Sequence, residues 1–175
     1  MSPKLISRKS LLLAGLLLGL AACQPLPEQR APAPPAALVA QQHLSGVRPD
    51  LDPQWYDASG NLRWPPNYGF AGAQVTVTLP PGMLLDRFGS PGGGFFSPQG
   101  APYSARALPY VCPTQVYTVY KVHGPLTTQS GTAAPWFGEP GGAIQYKTDE
   151  TASQLLATGK IETAPDPGPA PCDRK

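Results

Sequence analysis

Gln74-Val75-Thr76-Val77-Thr78-Leu79, closed by Pro80-Pro81-Gly82, is the clearest strand in the chain. Val75, Val77 and Leu79 fall on one side and Gln74, Thr76 and Thr78 on the other, the period of two expected of a half-buried strand. Downstream, Met83 to Asp86 offers a short strand after the turn. Val116-Tyr117-Thr118-Val119-Tyr120-Lys121-Val122 offers a longer one, rich in β-branched and aromatic residues. A third is Ala143-Ile144-Gln145-Tyr146-Lys147, entered from Gly141-Gly142; Ile144 and Tyr146 share one face and Gln145 the other. Ile161 to Thr163 offers a last short strand. One helix is expected from about Glu150 to Thr158, with Asp149 as N-cap, Leu155 and Leu156 as apolar contacts and Gly159 as terminator. With 19 Gly and 24 Pro favouring turns, the expected class is α+β. The domain should be small, mostly antiparallel and strand-rich, with long Gly/Pro loops and one or two short helices.

Upstream, the chain changes character. Lys4, Arg8 and Lys9 precede the apolar run Leu11 to Leu20, and no acidic residue occurs before Glu28. A run of ~10 residues is too short to cross a hydrocarbon core of roughly 30 Å. The order basic, apolar, small describes a signal peptide over residues 1–22. Leu20-Ala21-Ala22-Cys23 resembles the lipobox of bacterial lipoproteins, which implies acylation of Cys23 and cleavage just before it. Gln24, in place of Asp, implies outer-membrane sorting if the cell is Gram-negative, and hence a lipid-anchored protein of the bacterial cell envelope. Residues 23–49, with Pro25, Pro27, Pro32, Pro34 and Pro35, read as the lipidated cysteine and an extended tether. The folded domain is expected over 50–163, with a Pro-rich tail over 164–175.

Without Lys4, Arg8 and Lys9, the 13 basic side chains fall to 10 against 11 acidic, so no electrostatic footprint for nucleic acid remains. Cys112 and Cys172 can pair in an oxidising compartment, and the sequence leaves open whether they come close enough.

Few side chains carry obvious chemistry. His43 lies in the tether and His123 at a strand end, and neither belongs to a metal-ligand spacing, so no metal site is expected. Ser90-Pro91-Gly92-Gly93-Gly94 lacks the Gly-Lys-Ser/Thr of a phosphate loop and reads as a flexible turn. Arg87 and Arg106 sit in apolar or glycine-rich stretches. From spacing alone, each would pair with a local acid such as Asp86 and solvate a loop, and Gln145 would face solvent.

Taken in order, several stretches resemble the tuberculosis necrotizing toxin (TNT) family of NAD glycohydrolases. They are Trp64-Pro65-Pro66-Asn67-Tyr68-Gly69-Phe70, Leu84-Leu85-Asp86-Arg87-Phe88-Gly89, Gly100-Ala101-Pro102-Tyr103 with Arg106-Ala107-Leu108-Pro109, Tyr117 to Val122, and Ala134-Pro135-Trp136-Phe137-Gly138-Glu139-Pro140-Gly141-Gly142-Ala143-Ile144-Gln145-Tyr146. The resemblance implies hydrolysis of the nicotinamide–ribose bond of NAD(P), with no separate cofactor. It places Arg87 and Arg106 at the dinucleotide, Phe88 and Phe95 along the pocket, and Gln145 at the scissile bond, making Gln145 and Arg87 the catalytic pair. It also implies an inhibitor or immunity protein as partner. Thr118 stands where toxin members carry a histidine, and Phe95 lacks a tyrosine's hydroxyl. Two rival readings keep the fold without turnover: a nucleotide-binding module and a structural envelope lipoprotein.

Overall fold

The computed structural model describes residues 46–173. The expected signal peptide, Cys23, most of the tether and His43 lie outside them. Among the described residues, seven strands form a single sheet in the order β1-β5-β6-β3-β2-β4-β7. They are β1 (Val75–Leu79), β2 (Leu84–Phe88), β3 (Phe95–Pro98), β4 (Tyr117–Val122), β5 (Leu126–Thr132), β6 (Ile144–Lys147) and β7 (Ile161–Thr163). Every pairing is antiparallel. β3 is the joint of the sheet: Phe95 and Phe96 pair with β6, while Ser97 and Pro98 pair with β2.

The single described α-helix, α1 (Ala152–Ala157), lies between β6 and β7. At six residues it is too short to stand alone, so its stability comes from burying Ala152 and Leu155. These meet Leu85, Phe96, Tyr120, Val122, Tyr146 and Ile161 in the main core. The helix begins later than its sequence suggests. Thr151, not Asp149, is the N-cap: its hydroxyl accepts from Gln154 N and the Gln154 side chain accepts from Thr151 N, a closed capping box. Asp149 instead lies fully exposed beside Lys147.

β3 and β5 escape the sequence reading. β5 buries only Leu126 and Thr128, at 4% and 2% exposure, and so shows no apolar stripe. β3 is four residues long and ends in proline. β2 runs further than expected, through Phe88, which puts Arg87 and Phe88 on a buried strand and not in a solvated loop. In β1 the expected apolar face is only partly used. Leu79 is buried but Val75 is 61% exposed, because β1 is an edge strand whose only partner is β5.

The domain starts before residue 50. Val47 bridges Tyr110, Arg48 N donates to Pro109 O, and the Arg48 guanidinium pairs with Glu139 while donating to Phe137 O. The tail from Ala164 is also engaged. Cys112 and Cys172 form a disulfide, Tyr103 N donates to Pro171 O, and Ser104 N donates to Asp173. The disulfide borders a second cluster of Phe88, Tyr103 and Cys112, with Leu108, Tyr117 and Ala170 against it.

The cross-link closes a loop of 60 residues, for which chain entropy gives roughly 4 kcal/mol of stabilisation. Cys112→Ala/Cys172→Ala is expected to lower the free energy of unfolding by about 2–5 kcal/mol, read from the urea midpoint of oxidised wild type against the double variant.

Candidate active site

Strand alternation sorts the chemistry-bearing side chains. The registers place Gln145, Phe95, Ser97, Asp86 and Phe88 on one face of the sheet. Tyr146, Phe96, Leu85, Arg87 and Tyr120 lie on the face covered by α1. The first face opens into a cleft of about 1050 Å³, at the upper end of the size usual for small-molecule sites. Gln145, Arg87, Phe88, Phe95 and Arg106 all line it, although they come from β6, β2, β3 and the 3-10 turn Ser104–Arg106. Trp64, Tyr68, Leu108 and Tyr110 complete an aromatic and apolar rim.

Arg87 reaches this cleft from the opposite face, at the end of β2 where the chain turns. Its Nη1 donates to Gly93 O at 2.7 Å and to Phe95 O at 3.2 Å, and its Nη2 donates to Ser90 O at 2.6 Å. Its Nε is buried without a partner. Among the described residues it makes no ion pair with a carboxylate; it is 9% exposed, and burial draws its pKa down. The expected pairing of Arg87 with Asp86 fails because adjacent strand residues point to opposite faces. The glycine-rich turn is correspondingly well tied. Beyond the Arg87 bonds, Ala152 N donates to Gly93 O, Ser153 N to Pro91 O and Thr148 N to Gly94 O. A Cβ on Gly93 would lie 2.6 Å from Arg87 Nη2.

Arg106 does pair with Asp86, at 2.6 Å, but in the interior and not in a solvated loop. Both side chains are nearly inaccessible, at 6% and 0% exposure. Arg106 also donates through Nε and Nη2 to Ala101 O and lies 5.0 Å over the Phe88 ring. The second oxygen of Asp86 accepts from Gly100 N and from the Tyr117 hydroxyl at 2.9 Å. Burial and that bond push the Tyr117 phenol up to about 12. Phe88 packs edge-on to Tyr103, with ring centroids 4.7 Å apart. It therefore serves as floor beneath Arg106, whereas Phe95, 41% exposed, is free to meet a ligand.

Gln145 is half-buried and donates through Nε2 to Tyr68 O at 3.0 Å. Spacing alone predicts a solvent-facing Gln145, whereas the side chain lines the cleft, as the family resemblance implies, and the contact with Tyr68 is one that neither reading predicts. His123 pairs with Glu162 on the surface at 2.9 Å, outside the cleft. Thr118 registers opposite Arg87 and is not among the cleft-lining residues. Among the described residues, no cluster of His, Cys, Asp and Glu could hold a metal ion.

Residues 78–164 match the tuberculosis necrotizing toxin family. Arg87, Phe88, Phe95, Arg106 and Gln145 all fall inside this TNT-like segment; the Trp64–Phe70 loop precedes it. The conidial surface nicotinamide adenine dinucleotide glycohydrolase nadA of Aspergillus fumigatus is 36% identical over 119 residues, 59% of this chain and 50% of the fungal protein. The chain thus spans half the length of that curated relative. The solved structure of tuberculosis necrotizing toxin complexed with its immunity factor IFT aligns with a TM-score of 0.50 at 21% identity. That alignment covers 67% of this chain and 84% of the toxin, and it shows that the TNT-like domain shares the toxin's fold.

Asp86 is the most heavily used carboxylate beneath the cleft. Asp86→Ala leaves a buried guanidinium uncompensated, and a loss of about 3–5 kcal/mol is expected in denaturant unfolding. Lys121→Ala, which removes an exposed partner of Glu162, should change stability by less than about 1 kcal/mol.

Proposed function

We propose that the TNT-like domain hydrolyses the nicotinamide–ribose bond of NAD(P), giving nicotinamide and ADP-ribose. The carrying observation is the convergence of Gln145, Arg87, Arg106 and Phe95, from separate elements, on one dinucleotide-sized cleft. The family match and the fungal NAD glycohydrolase support the same chemistry.

The assigned roles follow from charge and geometry. Arg87, a cation with carbonyl dipoles and the Phe96 ring but no carboxylate against it among the described residues, is the group best able to gain from an anion and would meet the pyrophosphate. Arg106, already neutralised by Asp86, adds a weaker field from the floor. Phe95 would pack against the nicotinamide or ribose. Gln145 would face the anomeric carbon. The bond between that carbon and the pyridinium nitrogen breaks with its electron pair on the nitrogen. Neutral nicotinamide leaves and needs no proton from an acid. Water then adds its oxygen to the ribosyl cation and releases its proton to solvent. The demand on the protein is a negative dipole aimed at a centre that is becoming positive, which an amide oxygen supplies.

The same reading includes a bacterial lipoprotein, with Cys23 acylated and the domain held at the cell envelope; the basic, apolar and Leu20-Ala21-Ala22-Cys23 segments support it. It also includes an inhibitory protein partner, since the related toxin is complexed with an immunity factor.

Purified residues 24–175 are expected to release nicotinamide from NAD, and Gln145→Ala is expected to do so about 100- to 1000-fold more slowly. Release by wild type as slow as by Gln145→Ala would sink the hydrolytic reading, and tight binding of NAD without release would favour a binding module. Expressed in bacteria fed a labelled fatty acid, the full chain should take up label, and Cys23→Ser should not. Label retained by the serine variant would refute the anchor.

A further inference from the structure

The amide of Gln145 has two chemically opposite ends, and a cleft that needs one of them must reject the other. Its Nε2 donates to the main-chain carbonyl of Tyr68 at 3.0 Å. A carbonyl only accepts, so this partner selects the NH₂ end and turns Oε1 away from it. Among the described residues, no donor reaches Oε1.

The carbonyl that makes this selection is itself held in an unusual backbone. Asn67, Tyr68 and Gly69 adopt φ of 55°, 53° and 80° in succession. Two of these are left-handed non-glycine residues, a strain that persists only where the surroundings over-determine it. Asn67 supplies much of that constraint. Its Nδ2 donates to Phe70 O at 3.2 Å and to Gly72 O at 2.8 Å, and its Oδ1 accepts from Gln74 Nε2 at 2.6 Å. On the far side Ala134 N donates to Gly69 O at 2.8 Å, and Phe70 bridges Ala133. The buried Phe70 ring sits against Gly131, the residue registered opposite Gln145. Lys147 lies 4.7 Å over the Tyr68 ring. The loop is thus braced internally by Asn67 and fastened to β6 through Gln145 and Lys147 and to the segment after β5 through Ala133 and Ala134.

Resting on the proposed hydrolase reading, we infer that Asn67 is a positioning residue. It holds the Tyr68 carbonyl where it fixes the Gln145 amide with its oxygen toward the reacting ribose. A flipped amide would aim N–H groups at a developing cation and oppose the reaction.

The test has arms that separate this inference from the hydrolase reading. Wild type against Gln145→Ala reports first whether Gln145 supports turnover. Asn67→Ala is then expected to lower kcat by about 10- to 100-fold, the scale of a 1 Å misplacement, with KM for NAD changed by less than about twofold. Asn67→Gly, which tolerates the same φ while losing the three bonds, should behave alike if the alanine variant fails to fold. In Gln145→Glu, only the protonated acid can donate to Tyr68 O while presenting its carbonyl oxygen. Its kcat should therefore rise as pH falls through the glutamate pKa, relative to wild type. A Glu variant that gains activity with rising pH, or that follows the wild-type profile, overturns the inference. Nuclear magnetic resonance of ¹⁵N-labelled protein gives a readout independent of turnover. One Gln145 amide proton should exchange slowly in wild type and quickly in the Asn67 variants. Equal exchange in both overturns the tether even if hydrolysis proceeds, whereas a protected amide in an inactive wild type would refute the hydrolase and not the tether.

Discussion

A nearly buried guanidinium held by carbonyl oxygens and lying over the Phe96 ring, with no carboxylate partner among the described residues, is the constraint around which this domain is arranged. Arg87 binds the carbonyls of Ser90, Gly93 and Phe95 and has no carboxylate partner among the described residues. Those carbonyls can converge only if the chain after β2 folds back tightly, and Gly93 is present because any side chain there would strike the guanidinium. The same turn accepts bonds from Thr148, Ala152 and Ser153, so it ties the end of β6 to the start of α1. One side chain therefore couples β2, the only described α-helix and the cleft wall. It also leaves positive charge in a place where, among the described residues, no carboxylate opposes it.

The second arginine solves a different problem. Arg106 is neutralised by Asp86, whose other oxygen is spent on Gly100 and Tyr117. It stacks on Phe88, itself packed on Tyr103. This assembly makes a rigid, nearly neutral floor. A polyanion entering the cleft would feel Arg87 far more than Arg106, although both border the same space.

How much of this was legible in the sequence depended on whether the relevant partner was local. β1, β4, β6 and β7 carry their own apolar or β-branched patterns and were readable within a residue or two. β5 is polar along most of its length and exists because β1 and β6 flank it, information that no window of its own sequence contains. The capping box at Thr151 and Gln154 is present in the sequence as Thr-x-x-Gln, but the acid two residues earlier, Asp149, competes with it as an N-cap candidate. The site residues themselves were legible only through the family resemblance. Residue type and spacing suggested that both arginines would seek Asp86, yet alternation along β2 makes that impossible for its immediate neighbour. The Gln145–Tyr68 bond spans 77 positions, and the strained Asn67-Tyr68-Gly69 backbone that provides it has no periodicity to betray it.

The bond between Cys112 and Cys172 fastens the tail alongside the turn that presents Arg106, since Pro171 and Asp173 hold Tyr103 and Ser104. Bacterial cytoplasm keeps such sulfur pairs apart as thiols, whereas the envelope joins them. For the proposed exported chain, the stitch that steadies one wall of the cleft would be drawn tight only after the polypeptide had left its own dinucleotide pool behind. On that reading, compartment and the steadiness of one cleft wall would be coupled by sulfur chemistry.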